Sequence, residues 1–154
     1  MATIALAARF DHIVLTVTDI EATVKFYERV LGLAREVFQG SDGQPRYALR
    51  FGDQKINLQD RATDTVNKAQ APTLGSADFC MIAAVPLDQV LAHLRAENIA
   101  IEAGPVSRRG AIGPMRSVYF RDPDGNLVEV AEYVSATRAI RKPTAPDDNS
   151  TGDL

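Results

Sequence analysis

The sequence predicts an α+β fold made of two βαβββ modules related by a pseudo-twofold axis, with cupped mixed sheets enclosing a cleft and helices on the outside. Short segments in which apolar residues alternate with polar ones indicate strands, and two segments with apolar residues at helical spacing indicate helices. The same order of elements occurs twice, which indicates an internal repeat. With 154 residues, the chain is long enough for one domain with a substantial core.

The first module begins with the strand FDHIVLTVTD, in which Ile13, Leu15 and Val17 occupy one face. Asp19 is placed to cap the helix IEATVKFYERVLGL, and Gly32 is placed to end it. Three strand-like segments follow, separated by turn residues: LAREVF, RYALRF and KINLQD.

The second module repeats this order, with the strand DFCMIAAV, the helix PLDQVLAHLRAEN opened by Pro86, and the strands IAIEAGPV, MRSVYF and NLVEVAEYV. We expect one domain over residues 8–134, with modules at about 8–61 and 76–134 and a linker at 62–75. The polar C-terminal tail, residues 135–154, is expected to be poorly ordered or to lie over the surface.

Composition restricts the partners. The net charge of −3 excludes the basic surface that nucleic acid requires. No apolar run is long enough to span a membrane, and the N-terminus lacks the features of a signal peptide. The single cysteine, Cys80, excludes an intrachain disulfide and fits a reducing compartment. We therefore expect a cytoplasmic protein whose partner is a small molecule.

Strand alternation also predicts a polar site. Aligning the modules brings His12 onto Asp78 and Gln59 onto Glu129, all on the faces turned away from the helices. Glu129 stands among apolar neighbours in its strand, where an unpaired carboxylate is costly to bury and a cation partner removes that cost. A twofold axis through the cleft is expected to bring the four residues together.

Two motifs resemble a known family. FDHIVLTVTDIEATVKFYERVLGL resembles the opening strand and helix of the vicinal oxygen chelate superfamily (glyoxalases, bleomycin-resistance proteins and dioxygenases), and RSVYFRDPDGNLVEV resembles its closing hairpin. Within the family, the sequence is similar to the small glyoxalase-domain group of virulence-type proteins. The resemblance implies that His12 and Glu129 are metal ligands. Asp78 stands where the family often has histidine, and Gln59, or Asn57 in a shifted register, stands where it often has glutamate or histidine.

The resemblance implies a divalent-metal-dependent lyase or isomerase of the glyoxalase type, which chelates two adjacent oxygens of a small substrate and stabilises a developing enolate, with Glu129 or Asp78 available as a base. One imidazole with carboxylate and amide oxygens favours Mn²⁺, Ni²⁺, Fe²⁺ or Mg²⁺ over Zn²⁺. The alternative is a metal-free protein that sequesters a small molecule, as bleomycin-resistance proteins do. A homodimer is the family's usual state.

A ring-cleaving dioxygenase is disfavoured, because a triad of two histidines and one carboxylate cannot be built when the only other histidine, His93, lies in the second helix. His93 is expected on the helix surface or in packing, and Cys80 in the helix-facing core.

Four residues are candidate substrate contacts: Arg109, Arg116, Asn57 and Tyr119. Arg108, Arg109 and Arg116 bracket the glycine-rich loop of the segment SRRGAIGPMRS, where guanidinium groups could clamp a carboxylate or phosphate; the alternative is a solvated linker. The segment DPDGN is predicted to be a hairpin turn without a catalytic role.

Overall fold

The computed structural model describes residue 4, residues 6–63 and residues 67–134. The predicted C-terminal tail lies outside the described residues. No helix in the described part of the chain has the length and apolar character needed to cross a membrane. The elements are, in order, β1 (His12–Thr16), α1 (Ile20–Leu31), β2 (Ala34–Gln39), β3 (Pro45–Phe51), β4 (Gln54–Gln59), β5 (Asp78–Ile82), α2 (Leu87–Ala96), β6 (Ile101–Arg109), β7 (Pro114–Arg121) and β8 (Leu127–Tyr133).

Each module forms its own four-stranded mixed sheet. The strand orders are β1-β4-β3-β2 and β5-β8-β7-β6, so the two sheets have the same topology. In each sheet the first and last strands of the module pair in parallel, and the other neighbours pair antiparallel. The predicted α+β class and the two βαβββ modules are confirmed.

The first helix begins and ends where the sequence predicts. The side chain of Asp19 accepts a hydrogen bond from the backbone N–H of Ala22, and Gly32 adopts a left-handed conformation with φ of 67°. In the second module Pro86 is the N-cap residue and α2 begins at Leu87, one residue later than the predicted start.

One hydrophobic core joins the two modules. It contains residues of both helices and of the helix-facing sides of both sheets, including Leu15, Tyr27, Leu94 and Phe120. The ring of Phe26 in α1 lies 6.4 Å from the ring of Phe120 in the other module's sheet. The helices therefore pack between the sheets, and the helix-facing sides of both sheets are covered together.

A buried hydrogen-bond network connects the modules at this core. The hydroxyl of Tyr27 donates to Oδ2 of Asp122 over 2.9 Å, and both residues are buried. Asp122 also accepts from the backbone N–H groups of Asp124 and Asn126 and from the Asn126 amide. Four donors thus satisfy a buried carboxylate that would be costly if unpaired.

The segment DPDGN forms the predicted hairpin turn, with Gly125 at φ of 86°. It has a second structural role that the sequence did not indicate. Asp124 accepts hydrogen bonds from the backbone N–H of Thr18, at 3.0 Å, and from the Thr18 hydroxyl. The turn of the second module is therefore bonded to the end of β1 in the first.

Because side chains alternate across a strand, the sides opposite the shared core point away from it. We call one of them the His12 face, formed in its centre by His12, Val14, Thr16, Ala48, Asn57 and Gln59. We call the other the Glu129 face, formed by Asp78, Cys80, Ile82, Ser117, Tyr119, Leu127, Glu129 and Ala131. Neither face is covered by the other within one chain.

The Tyr27 hydroxyl is expected to be important for the stability of both modules. Tyr27→Phe leaves the buried Asp122 carboxylate with one donor fewer, so the free energy of unfolding should fall by about 1–2 kcal/mol. Urea unfolding followed by circular dichroism measures this. Tyr47→Phe is the matched control, because the Tyr47 side chain also packs against the core but no hydrogen bond of its hydroxyl is seen among the described residues. Equal losses in the two variants would contradict the prediction.

Candidate functional site

Glu129 lies in the middle of its face, with one oxygen that has no partner. Its Oε1 atom is buried and makes no hydrogen bond. In the strand register Glu129 stands between Tyr119 of β7 and Cys80 of β5. A buried carboxylate oxygen without a donor is expected to interact with a cation or a donor supplied from outside the chain.

The prediction that Cys80 packs in the helix-facing core is wrong. Cys80 is exposed and shares the Glu129 face, because it lies two residues after Asp78 and alternation returns it to the same side. Burial against its neighbours and the negative charge of Glu129 raise the pKa of the Cys80 thiol to about 11. The thiol is therefore protonated at neutral pH and is a weak hydrogen-bond donor beside Glu129.

Tyr119 links Glu129 to an arginine. Nε of Arg108 donates to the Tyr119 hydroxyl over 3.0 Å, and the guanidinium carbon lies 5.3 Å from the centre of the Tyr119 ring. Burial and the interaction with Glu129 raise the pKa of Tyr119, and Arg108 partly opposes this. Tyr119 is thus a neutral hydroxyl between a guanidinium and a carboxylate.

The His12 face presents an imidazole held by a carboxylate. Nδ1 of His12 lies 2.8 Å from Oδ1 of Asp11. This hydrogen bond lowers the pKa of Asp11. With the proton on Nδ1, Nε2 keeps a lone pair for a ligand, as in the carboxylate–histidine pairs of metal sites.

The charges beside His12 are paired with one another. Nε of Arg50 donates to Glu36 over 2.6 Å, and Nζ of Lys55 lies 3.5 Å from the same carboxylate. The hydrogen bond from Arg50 lowers the pKa of Glu36. Both cations therefore share one carboxylate, so the group keeps one net positive charge.

Asn57, and not Gln59, is the repeat-equivalent of Glu129. Asn57 stands opposite Val14 in β1, as Glu129 stands opposite Cys80 in β5. The predicted alignment of Gln59 with Glu129 is wrong by two residues, so Gln59 lies on the predicted side of the strand but not at the equivalent position. Gln59 is two residues further along β4, where its Nε2 donates to the Thr16 hydroxyl over 2.8 Å. Oδ1 of Asn57 is buried without a partner, as Oε1 of Glu129 is.

The structure does not gather the four predicted ligand positions within one chain. Among residues 6–63 and 67–134, no three His, Cys, Asp or Glu side chains are close enough to hold one metal ion. His12 and Glu129 lie on the two separate faces. The physical reason is the shared core, since helix-facing sides that pack together leave the polar sides apart.

The predicted arginines have different surroundings from those expected. The segment predicted as a glycine-rich loop is mostly strand, because β6 continues to Arg109 and only residues 110–113 turn. Arg116 bonds Asp88 of α2 at 3.3 Å, on the side opposite Glu129, and Arg109 shares that side by alternation. Arg108, the third arginine of the segment, is the one on the Glu129 face. Alternation separates it from Arg109, but this can be read from the sequence only if β6 is known to extend as far as Arg109.

His93 is exposed on α2, as predicted, and its Nε2 lies 2.9 Å from the Arg29 carbonyl oxygen. It contacts the other helix and takes no part in either face.

A cavity of about 520 Å³ lies at the end of the His12 face. Its described lining combines β-strand residues with residues after β4: Thr16, Gln59, Asp60, Arg61, Thr63, Lys68, Pro72, Thr73 and Leu74. The volume is in the range of small-molecule sites.

The chain belongs to the Glyoxalase/Bleomycin resistance protein/Dioxygenase superfamily, whose model matches residues 9–130. This confirms the resemblance inferred from the two motifs. It is 48% identical over 126 residues to virulence protein STM3117 of Salmonella typhimurium, covering 82% of this chain and 85% of that protein. The crystal structure of that protein matches with a TM-score of 0.77, covering 84% of this chain and 100% of that chain.

Two other solved structures are similar. A protein from the mobile metagenome of V. Pseudocholerae has 45% identity and a TM-score of 0.80, covering 86% of this chain and 99% of that chain. Lactoylglutathione lyase from Agrobacterium tumefaciens has 29% identity and a TM-score of 0.61, covering 83% of this chain and 96% of that chain. Family membership does not choose among the family's reactions.

The thiol of Cys80 is expected to report the charge of Glu129. Because Glu129 contributes to the raised pKa, Glu129→Gln should lower the pKa from about 11 and make thiol alkylation faster at pH 8. The rate against pH, measured on metal-free protein, gives both values; Cys80 is the only cysteine. Asp78→Asn, which removes a weaker contribution, should give a smaller shift. An unchanged profile in Glu129→Gln would show that the two groups do not interact.

Proposed function

We propose that the protein is a divalent-metal-dependent lyase or isomerase of the glyoxalase type, acting on a small substrate with adjacent oxygens, with a site formed between two copies of the chain. The observation that supports this most directly is the pair of buried acceptors at repeat-equivalent positions. Oδ1 of Asn57 and Oε1 of Glu129 both lack a donor, which is expensive unless something outside the single chain satisfies them.

The donor set fits a divalent cation. His12 offers Nε2 of an imidazole already bonded to Asp11, Glu129 and Asp78 offer carboxylates, and Asn57 offers an amide oxygen. Oxygen ligands with one imidazole suit Mn²⁺, Ni²⁺, Fe²⁺ or Mg²⁺. When bound, such an ion supplies Lewis-acid polarisation of a substrate carbonyl.

A second chain is needed to complete this set. The His12 face of one protomer has the imidazole and the amide, and the Glu129 face of its partner has the carboxylates. Strands β1 and β5 are both edge strands of their sheets, and each has an exposed apolar residue on its polar face, Val14 and Ile82. Placing the two faces against each other in a twofold homodimer covers these residues and closes the cleft.

The remaining residues of the Glu129 face suit proton transfer. Glu129 is the candidate base, since it is a carboxylate partly removed from water. Tyr119 and Cys80 have raised pKa values, so both stay protonated beside it and can donate hydrogen bonds to a developing oxyanion. The chain thus provides an acceptor of the proton and neutral donors for the charge that forms.

A metal-free sequestering protein is the second candidate, favoured by one observation. The cavity of about 520 Å³ at the end of the His12 face is large enough for a small molecule and is lined by neither His12 nor Glu129. On this hypothesis a ligand raises the melting temperature, and a chelator does not change that effect.

The two-chain site predicts complementation. His12→Ala and Glu129→Ala, each alone, should lose stoichiometric Mn²⁺ binding. A heterodimer purified after co-expression with two different tags should recover one intact site per dimer, because the His12 of one chain meets the Glu129 of the other. Calorimetric titration of metal-stripped protein gives the stoichiometry.

Two outcomes would contradict this proposal. A heterodimer that still binds no Mn²⁺ would show that the metal ligands come from a single chain. Wild-type protein that binds no divalent ion at micromolar concentration would remove the metal from the proposal and favour the sequestering protein.

Substitutions of Asn57 and Gln59, compared with each other, test which of the two residues is the fourth metal ligand. We expect Asn57→Ala to weaken Mn²⁺ binding about tenfold, a loss of about 1.4 kcal/mol, because an oxygen of the site is removed. Gln59→Ala should leave the affinity within about twofold, since that side chain bonds Thr16 instead. The same titration measures both, and the reverse order would restore Gln59 as the candidate.

A further inference from the structure

Adjacent arginines of β6 have opposite surroundings. Arg108 stands opposite Met115 and Arg109 opposite Pro114, so alternation puts Arg108 on the Glu129 face and Arg109 on the helix side. A register shift between Ala103 and Val106 sets this alignment. It falls at Gly104, where a side chain would meet the Ser117 carbonyl oxygen at 2.6 Å.

The guanidinium of Arg108 lacks a carboxylate partner among the described residues. Of the other three arginines in the second module's sheet, Arg116 is paired with Asp88 and Arg121 with Glu102, and Arg109 lies on the opposite, helix-facing side. Arg108 instead donates Nε to the Tyr119 hydroxyl and Nη1 to its neighbour's backbone carbonyl. Nη2 makes no hydrogen bond within the described part of the chain, so donors remain for a ligand.

The side chain is also held over the face. Arg108 starts in the row of Met115 and bonds the side chain of Tyr119, which starts two rows further along the same face, with Ser117 in the row between them. Ser117 is buried and its hydroxyl has no partner. The hydrogen bond and the stacking on Tyr119 orient the guanidinium, which lowers the entropy lost when an anion binds.

We propose that Arg108 is the anion-binding residue of this site and that the substrate is an acid, with a carboxylate next to its reacting oxygens. This deepens the proposed function and rests on it for the reaction. A carboxylate forms charge-assisted hydrogen bonds with a guanidinium, about twice as strong as neutral ones. Tyr119 separates that anion from Glu129, so one residue set can hold a carboxylate and a carboxylate base.

Pyruvate and pyruvamide form the test pair, because they have the same shape and the same adjacent oxygens but differ in charge. Each is titrated into metal-stripped, ¹⁵N-labelled full-length protein in chelator-free buffer at low ionic strength, following the arginine Nε–Hε signals by NMR. The wild type should bind pyruvate about tenfold more tightly than pyruvamide and shift the Arg108 signal. Chelators are omitted because their carboxylates would compete.

Three variants test whether the preference for pyruvate depends on Arg108 itself. Arg108→Gln should abolish the preference, whereas Arg109→Gln, one residue away on the opposite side, should keep it within about twofold. Tyr119→Phe keeps the guanidinium charge but releases Nε of Arg108, so the preference for pyruvate over pyruvamide should fall about threefold. Arg108 and Arg109 are both exposed, so the two arginine substitutions should leave thermal unfolding unaltered.

The proposal is overturned if the wild type shows no preference for pyruvate, or if Arg109→Gln loses as much as Arg108→Gln, which would indicate diffuse charge attraction. Since no metal is present, either result is independent of the Mn²⁺ titrations, and the two proposals can fail separately.

Discussion

The hydrogen bond from Tyr27 to Asp122, inside the core shared by both modules, is the interaction on which the rest of the structure depends. It joins α1 of the first module to the β7–β8 turn of the second, and the same turn bonds Thr18 through Asp124. Each sheet packs against the hydrophobic core on one side only, so the stability of each sheet depends on the helices that lie between them. Loss of this contact would weaken the packing of one module on the other, which keeps apolar surface of both out of water.

Packing the helices between the sheets has a direct consequence for chemistry. The polar faces are turned outward, and each has half of the proposed ligand set with a buried amide or carboxylate oxygen left unsatisfied, Asn57 on one face and Glu129 on the other. Buried acceptors of this kind are usually satisfied by protein groups or ordered water. Because the two atoms occupy repeat-equivalent positions, contact between the two faces in the proposed homodimer would satisfy both. A ligand or cation bound there would stabilise that dimer by mass action.

The two faces differ in electrostatics. On the His12 face the nearby cations are matched with Glu36 and Asp11, so the imidazole acts without a strong surrounding field. On the Glu129 face, Arg108 has no carboxylate partner among the described residues, and two protonated side chains flank the carboxylate. A site built from both would combine a ligand-binding half with a proton-transfer and anion-binding half. That division is a physical reason for retaining two diverged modules instead of two identical ones.

The sequence by itself determined the order of elements, the ends of α1 and the sides of the strands that face the helices, since these follow from local periodicity and capping. It also identified His12 and Glu129 as polar residues on the outward sides, and alternation from Asp78 was sufficient to place Cys80 there as well. Only the tertiary structure decided that Asn57 matches Glu129, that Arg108 and not Arg109 reaches Tyr119, and that His12 and Glu129 lie on separate faces of one chain. Strand register, the irregularity at Gly104 and the packing of one module on the other depend on residues far apart in the chain, so no local pattern contains them.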